Sequence, residues 1–492
     1  MSDVYIPGIK SRFETEKMIE DLMKLERIPR DRAQGTVDRL EVEKGYWQEI
    51  SRRADALRKS ATDLFSFQNP FNEFVVRSNN DSALVGTATR NADPQIRSFT
   101  VKQMAQSDRF LSNPLSEDFH VDGGTYSFSI GNEDISFDFR GGTLREFTDA
   151  LNRRSRDKLQ ASLVAVRPGT RSLLIESKVT GEENRLNFAG AAATLGVNTG
   201  MIELTGNGMR PLNAVSTAMD AIITMEGIEI QRSSNEISDL VPGVTVTAVD
   251  VSDKPIRLSI EPDKEAIKEA IISFVGNYNR LLAEINVLTR NDERVIDEIT
   301  YLNADERADY RKKLGAFVGD STLLQMRNSL TRIMTSAHET AQDNDLALLA
   351  QIGIGTNVGR SSGAEASQLR GYLYIDEKVL DAEIVTRLSA VKELFAYDTN
   401  GDLVADAGVA FSIDTLTRPY VGTGGILTQK TTAMDSRITQ ENQRIATLDR
   451  QLAAKEADLK KQYSQMESAY NRMEQMTQSF DRFNQQNSNN NR

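Results

Sequence analysis

The sequence predicts an α+β multidomain protein in which N- and C-terminal helices form a shared coiled-coil-like stalk and β-rich head domains are inserted between them. Three observations carry this reading. Residues 434–483 hold an apolar column at every seventh position and contain neither proline nor glycine. Residues 1–72 carry a second set of apolar side chains at helical spacing. Between the two, short runs alternate apolar and polar residues with the period of a strand.

From the N-terminus, residues 1–10 show no period and read as irregular, flexible chain. Ser11 and Glu14 fit a capping box, in which hydroxyl and carboxylate satisfy the free N–H groups of a helix start. Met18, Ile19, Leu22, Met23 and Leu25 then share one helical stripe. Pro29 is expected to end or bend this helix near Ile28, because proline lacks the donor and crowds the preceding turn. A second helix follows, with Leu40, Trp47, Ile50, Ala54, Leu57, Ala61 and Leu64 on one face, and stops around Phe67–Pro70. Trp47, the only tryptophan, lies in that seam and reads as packing.

From Phe74 the texture becomes β-like. Ile96, Phe99 and Val101 lie near its start, Tyr126, Phe128 and Ile130 alternate, and Ile135, Phe137 and Phe139 repeat the period. Residues 142–151 read as a helix capped by Thr143 with Glu146 three positions on. Strands resume at Ala161–Val166 and Ser172–Ser177 around the turn Arg167-Pro-Gly-Thr170. Gly206, Gly208 and Pro211 suggest a boundary. Ile222–Met225 and Ile228–Gln231 flank Glu226-Gly227, a two-residue hairpin connection. Val244, Val246 and Ala248 alternate, as do Ile256, Leu258 and Ile260.

After Pro262 the period returns to helix through Ile267, Ile271, Phe274, Tyr278, Leu281, Leu282 and Ile285. Residues 290–350 read as mainly helical, with Leu323, Met326, Leu330 and Ile333 as one stripe. A glycine-rich link (Gly353, Gly355, Gly359, Gly363) leads to a short strand at Tyr372, Leu373 and Ile375. Two short helices follow, and Gly422-Thr-Gly-Gly-Ile426 releases the chain into its last helix. There Ile438, Ile445, Leu452, Leu459, Met466, Met473 and Phe480 form the column of sevens. At 39% apolar composition, a given column of seven would be wholly apolar by chance roughly once in seven hundred, so the pattern is a signal. The companion column is mixed: Glu441, Leu448, Lys455, Gln462, Ala469, Met476, Phe483. One firm seam and one leaky seam suit a helix that packs on a partner helix better than a self-sufficient zipper. Pairing the two ends of the chain with each other is the economical solution.

Bulk composition narrows the classes further. The 492 residues are 39% hydrophobic and 26% charged, which is the balance of a water-soluble chain of about three domains. No run of eighteen apolar residues exists, so membrane insertion is not expected. The opening residues lack the basic flank and apolar core of a cleaved signal peptide. With no cysteine, disulfides, thiolate metal sites and cysteine nucleophiles are excluded. The net charge of −12 is uneven: residues 1–72 carry 13 basic and 13 acidic side chains and residues 431–492 carry 9 and 8, leaving −13 for the middle. An acidic body repels phosphate, so nucleic acid is not an expected partner.

Chemistry-bearing patterns are sparse. His120 and His338 lie in polar contexts far apart and read as exposed or capping residues. There is no nucleophile elbow, phosphate loop or zinc-protease motif, and Gly353–Gly359 misses the dinucleotide spacing by one residue, so it reads as a linker. No catalytic residue, enzyme activity or cofactor is expected. Asp398, Asn400, Asp402 and Asp406 stand at positions 1, 3, 5 and 9 of a calcium-type loop. Against that candidate, Leu403 replaces the glycine of position 6 and Val409 the bidentate glutamate of position 12, and the same residues make ordinary turns.

Several of these segments resemble the bacterial flagellar filament cap protein, hook-associated protein 2 (the FliD family). Gly8-Ile-Lys-Ser-Arg-Phe-Glu-Thr15 is similar to its N-terminal signature, with Lys10 and Arg12 in place of glycines, and Met18–Met23 and Leu25–Pro29 continue the match. More specific are Arg232–Val246, with Ser-Asn, Ile, Asp and Pro-Gly-Val-Thr in family order, and Phe274-Val-Gly-Asn-Tyr-Asn-Arg-Leu281. Ile375–Asp381, Val391 with Leu394-Phe395, and Gly424–Leu427 fit the C-terminal half. Residues 142–184 look like the β-α-β module of hook-associated proteins and flagellins. Residues 290–318 look longer and more charged than the family pattern.

The resemblance implies a ring-like homo-oligomer, often a pentamer in the family, at the tip of the growing filament, where it shelters the folding of exported flagellin. It implies flagellin, hook–filament junction proteins and an export chaperone as partners. It also implies export through the flagellar type III apparatus to an external or periplasmic filament. The domains expected on this basis are a flexible leg segment at 1–38, a helical stalk domain at 39–72 with 263–430, and a β-rich head at 73–115 with 214–262. An outer α/β head at 116–213 and a C-terminal leg at 431–492 complete the set. Leg packing is assigned to Leu40, Trp47, Ile50, Leu57 and Leu64 against Ile438, Ile445, Leu452, Leu459, Met466, Met473 and Phe480. A surface adhesin with a coiled-coil stalk is the alternative reading.

Overall fold

Helix α1 runs without interruption from Thr15 to Phe65, straight through Pro29. The expected break near Ile28 does not occur. Proline removes one intrahelical donor, but the carbonyl it leaves belongs to Leu25, an exposed residue that water reaches. Packing of Ile19, Met23, Ala33 and Val37 on a partner helix outweighs the local penalty. The structure is a computed structural model and describes residues 15–155, 157–206, 208–341, 345–356 and 370–489. The capping box at Ser11–Glu14, the irregular residues 1–10, and Gly359 and Gly363 lie outside the described residues.

The chain divides into two compact units, residues 1–68 with 268–492, and residues 69–267. In the first, α1 is accompanied by α4 (Lys264–Thr289, entering the unit at Lys268), which presents Ile271, Phe274, Tyr278, Leu281, Leu282 and Ile285 as a fully buried face. Helices α5 (Arg294–Asp297), α6 (Ala304–Lys313) and α7 (Ser321–Thr335) follow, α6 and α7 being capped by Asn303 and Asp320. The two-stranded pair Ile354–Gly355 and Tyr374–Ile375 precedes α8 (Glu377–Thr386) and α9 (Leu388–Phe395). A further helix, α10 (Val409–Val421), corrects the expectation of only two short helices before Gly422. Pro419 lies in its last turns, so the local signal reads as a stop although the helix is already formed behind it. The final helix, α11, spans Ile426–Asn489, longer at both ends than its apolar column.

The second unit has two cores. Antiparallel strands in the order Phe74–Ser78, Ile256–Pro262, Gln95–Gln103, Ala221–Met225, Ile228–Arg232 make one sheet, and Glu236–Val241, Val244–Ala248, Leu84–Ala88 make another. Both feed a core of Phe99, Val101, Ile223, Val246, Ile256 and Leu258. The hairpin at Glu226-Gly227 turns with φ of 50° and 85°, the pair of positive angles that its two-residue connection demands.

The other core is built from Phe110, Tyr126, Phe128, Phe147, Ile175 and Phe188. Around it stand the sheet containing Leu159–Arg167 and Thr170–Ser177, the three strands Leu186–Gly190, Gly124–Ile130 and Glu133–Phe139, and two helices, α2 (Leu144–Arg154) and α3 (Ala191–Asn198). Strand 124–130 alternates strictly, with Tyr126, Phe128 and Ile130 buried. Thr143 and Glu146 form a complete capping box on α2. Gly206–Pro211 is not a boundary: Gly208–Pro211 pairs with Ile202–Thr205 as a hairpin, and Ala214–Ser216 returns to the sheet beside Phe110.

Candidate functional site: the paired terminal helices

Helices α1 and α11 run antiparallel. Lys44 meets Asp435 at 2.5 Å, Arg30 meets Asp449 at 3.2 Å and the Thr15 hydroxyl donates to Glu467 at 2.5 Å, so the α11 number rises as the α1 number falls. The two ion pairs are solvated and each contributes well under about 1 kcal/mol. What holds the pair is the seam beneath them, where Ala33 and Val37 of α1 pack with Ile445 and, partly buried, Ile438.

The base of the pair is clamped. Trp47 stacks on Phe317 with ring centroids 4.7 Å apart and planes 25° apart. Lys430, at the start of α11, lies 4.9 Å over the Trp47 ring and pairs with Asp320 at 3.0 Å. The buried carboxylate of Asp414 on α10 accepts from Arg58 at 2.9 Å and from Arg418. Glu284, fully buried on α4, is held by Lys313. Burial first, and the charge of Glu284 second, push the Tyr310 phenol well above its usual range. Sequence reading missed both carboxylates. The available signal was a lone acid inside an apolar helical run, as in Leu281-Leu-Ala-Glu284-Ile285.

The residues assigned to leg packing are not used uniformly. Leu40, Trp47, Ile50, Leu57 and Leu64 are buried, as is Ile445. Ile438, Leu452 and Leu459 are half-buried. Met466, Met473 and Phe480 are 50%, 65% and 64% exposed. Column and contact face separate because an α-helix drifts by roughly 20° per heptad from a strict repeat of seven. The face that α11 turns toward α1 instead runs Ile438, Glu441, Ile445, Leu448, Leu452, Glu456, Leu459, Tyr463, Glu467, stepping by three and four at the true period of the helix. Beyond Glu467, opposite Thr15, the described part of α1 has ended, and Met473, Met476, Phe480 and Phe483 stand exposed.

The remaining candidates are spread elsewhere. Asp398 accepts from the N–H groups of Asn400, Gly401 and Leu403 at 3.2, 2.7 and 2.7 Å. Against the opposing pull of burial, such backbone donors hold its carboxyl below the usual carboxylate range. Asn400 and Asp402 each accept from the N–H two residues on, and Asp406 accepts from Thr399. Among the described residues, no group of three or more His, Asp or Glu side chains is placed to hold a metal ion. The His338 ring bonds the Ile333 carbonyl at 2.7 Å, and His120 lies in a strand paired with Gly142–Thr143. Gly353 ends a short 3-10 turn with φ of 82°.

Comparison with known proteins covers almost the whole chain. Residues 11–108 match the model of the flagellar hook-associated protein 2 N-terminus, and residues 218–475 that of the flagellar hook-associated protein 2 C-terminus. The flagellar hook-associated protein 2 of Treponema maltophilum is 29% identical, with 90% of this chain and 93% of the relative covered. That of Treponema pallidum is 27% identical, covering 89% and 93%. In fold, the chain is similar to the D1-D2-D3 domains of the flagellar cap protein FliD from Escherichia coli, with a TM-score of 0.55 at 21% identity over 79% of this chain and 99% of that one.

Proposed function

The chain belongs to the flagellar hook-associated protein 2 family, and we propose that it caps the growing end of a flagellar filament, promoting the folding and insertion of exported flagellin. The family match across both halves of the chain carries this reading. The family is that of a structural component and not of enzymes, and the fold similarity to a flagellar cap protein supports the same conclusion. The adhesin alternative finds no support among these relatives.

In this reading several copies assemble as a ring at the filament tip, with flagellin, hook–filament junction proteins and an export chaperone as further partners. The segments 39–72 with 263–430 are the stalk domain, 73–115 with 214–262 and the outer 116–213 the heads, and 1–38 with 431–492 the legs. The graded seam of α1 and α11 supports a leg that is anchored at its base and loosely held toward its far end. Such a leg keeps hold of a polymer end and still yields as each subunit enters. Deleting the gene tests the function: cells should shed unpolymerised flagellin and lack filaments, and the intact gene should restore them. Normal filaments in the deletion strain would refute the assignment.

A further inference from the structure

Between α1, α4 and α6 lies a cavity of about 600 Å³ whose wall includes Glu49, Arg52, Arg53, Arg280, Tyr301 and Tyr310. Its hydrogen-bonding capacity is lopsided. Both carboxylates in the wall are engaged: Glu49 takes Arg53 Nε at 2.6 Å and pairs with Arg52, and Glu306 accepts the Asn303 N–H at 2.9 Å in the cap of α6. Arg53 commits further N–H groups to Tyr310 at 3.1 Å and to the Arg280 carbonyl at 3.5 Å. Among the described residues, the Arg280 guanidinium, the Asn277 side-chain amide and the Tyr301 hydroxyl line this cavity without a hydrogen-bond or ion-pair partner. These side chains face solvent, so what the wall leaves free for a ligand is mostly donor.

Charge and shape narrow the ligand. Arg52, Arg53 and Arg280 against Glu49 and Glu306 leave one surplus positive charge in the wall, in a chain whose net charge is −12. A phosphate dianion carries more negative charge than this surplus offsets, whereas a single carboxylate matches it and suits the paired donors of a guanidinium. Ala56, Leu302 and the Tyr301 ring add apolar wall, which fits a hydrocarbon stem. We propose that this cavity binds one carboxylate on a short apolar stem, received by Arg280, Asn277 and Tyr301. The same chemistry is offered by a free carboxylate and by a glutamate side chain of a neighbouring copy of this chain. The assignment uses only the cavity and stands apart from the capping reading.

Saturation-transfer NMR on the full chain, with butyrate as probe and butyramide as its uncharged counterpart, tests it. Butyrate should receive saturation and butyramide should not, and Arg280→Ala should weaken binding by about tenfold, the scale of one charge-assisted contact. Tyr301→Phe should weaken it less. Arg280 is exposed, so circular dichroism of the variant should match the parent. No transfer to butyrate, equal transfer in Arg280→Ala, or displacement of butyrate by an equal concentration of inorganic phosphate would overturn the proposal. Sedimentation velocity separates the sources once butyrate binding is seen. Self-association abolished by Arg280→Glu and competed by butyrate assigns the carboxylate to a neighbouring copy. A chain that stays monomeric, or associates regardless of Arg280→Glu, assigns it to a free carboxylate.

Discussion

Both carboxylate oxygens of Glu284 accept from the ammonium group of Lys313, at 2.6 and 2.7 Å, on a glutamate with no exposed surface. Removing one partner of such a pair leaves a charge stranded in the interior and costs about 3–5 kcal/mol. Arg53, 3.5 Å from the same carboxylate, supplies a partial substitute. Lys313→Met is therefore expected to destabilise the first unit toward the low end of that range, and Glu284→Gln with Lys313→Met to recover most of the loss. Urea unfolding of the two variants and the parent decides this, and equal midpoints for parent and Lys313→Met would count against the pair.

Trp47 offers a direct readout of that unit. It is the sole tryptophan, buried against Phe317, and belongs to the first unit alone. Trp47→Ala empties the clamp and should cost about 3–5 kcal/mol, while Trp47→Phe keeps the stack and costs less. Circular dichroism melting should show the difference, with the second unit's transition unchanged in both variants.

The graded seam makes separate predictions for separate residues. Leu452 and Leu459 are half-buried against α1, so changing both to serine should weaken the helix pair by about 1–2 kcal/mol per site. Hydrogen exchange should quicken in residues 15–35 and 440–467, and cells carrying the variant should release flagellin into the medium. Met473→Ser, at a position 65% exposed, should leave exchange in those segments as it was. Equal effects from the two changes would contradict the contact face described above.

The capping box of α2 has a pH signature. The Thr143 backbone N–H, and then its hydroxyl, bond the Glu146 carboxylate and hold it below the usual range. A depressed carboxyl adds stability above its unfolded pKa, and this is lost as pH falls through the folded value. The melting gap between the parent and Glu146→Ala should be full at neutral pH and narrow toward about pH 3. A gap that widens on acidification would reverse the assignment.

For the loop Asp398–Asp406, millimolar calcium should release no titration heat and leave the melting temperature unchanged, because backbone N–H groups and the Thr399 hydroxyl already engage the carboxylate oxygens of Asp398 and Asp406. Asp398→Ala should loosen the turn whether or not calcium is present. Calcium-dependent stabilisation of the parent would reinstate the loop as a metal site.

Legibility in the sequence followed how local each cause is. The Thr143–Glu146 cap and the Glu226-Gly227 hairpin depend on residues a few positions apart, and both could be read directly. The seam of α11 could be read in outline from its apolar column, but the column follows a period of seven and the packed face follows the helix itself. That is why Tyr463 and Glu467 face α1 where Met466 was expected. Continuity through Pro29 was illegible because a partner about four hundred residues away sustains it, as the 419-residue separation of Arg30 and Asp449 illustrates. Asp414 and Glu284 were missed for a related reason: although Arg418 of the same helix also pairs with Asp414, Arg58 reaches Asp414 from α1, and the counter-charges of Glu284, Lys313 and Arg53, both come from other helices.

That separation also sets an order of events. Thr15 and Glu467 are 452 residues apart, and Lys44 and Asp435 are 391 apart. A chain that emerges one residue at a time, from a ribosome or through a narrow conduit, carries α1 without its mate until nearly all of the sequence has passed. The second unit, by contrast, is one continuous stretch, residues 69–267, and can close on itself while the rest is still in transit. The helix pair is thus the last part to be completed, and until then its apolar face is available to whatever escorts the newly made protein.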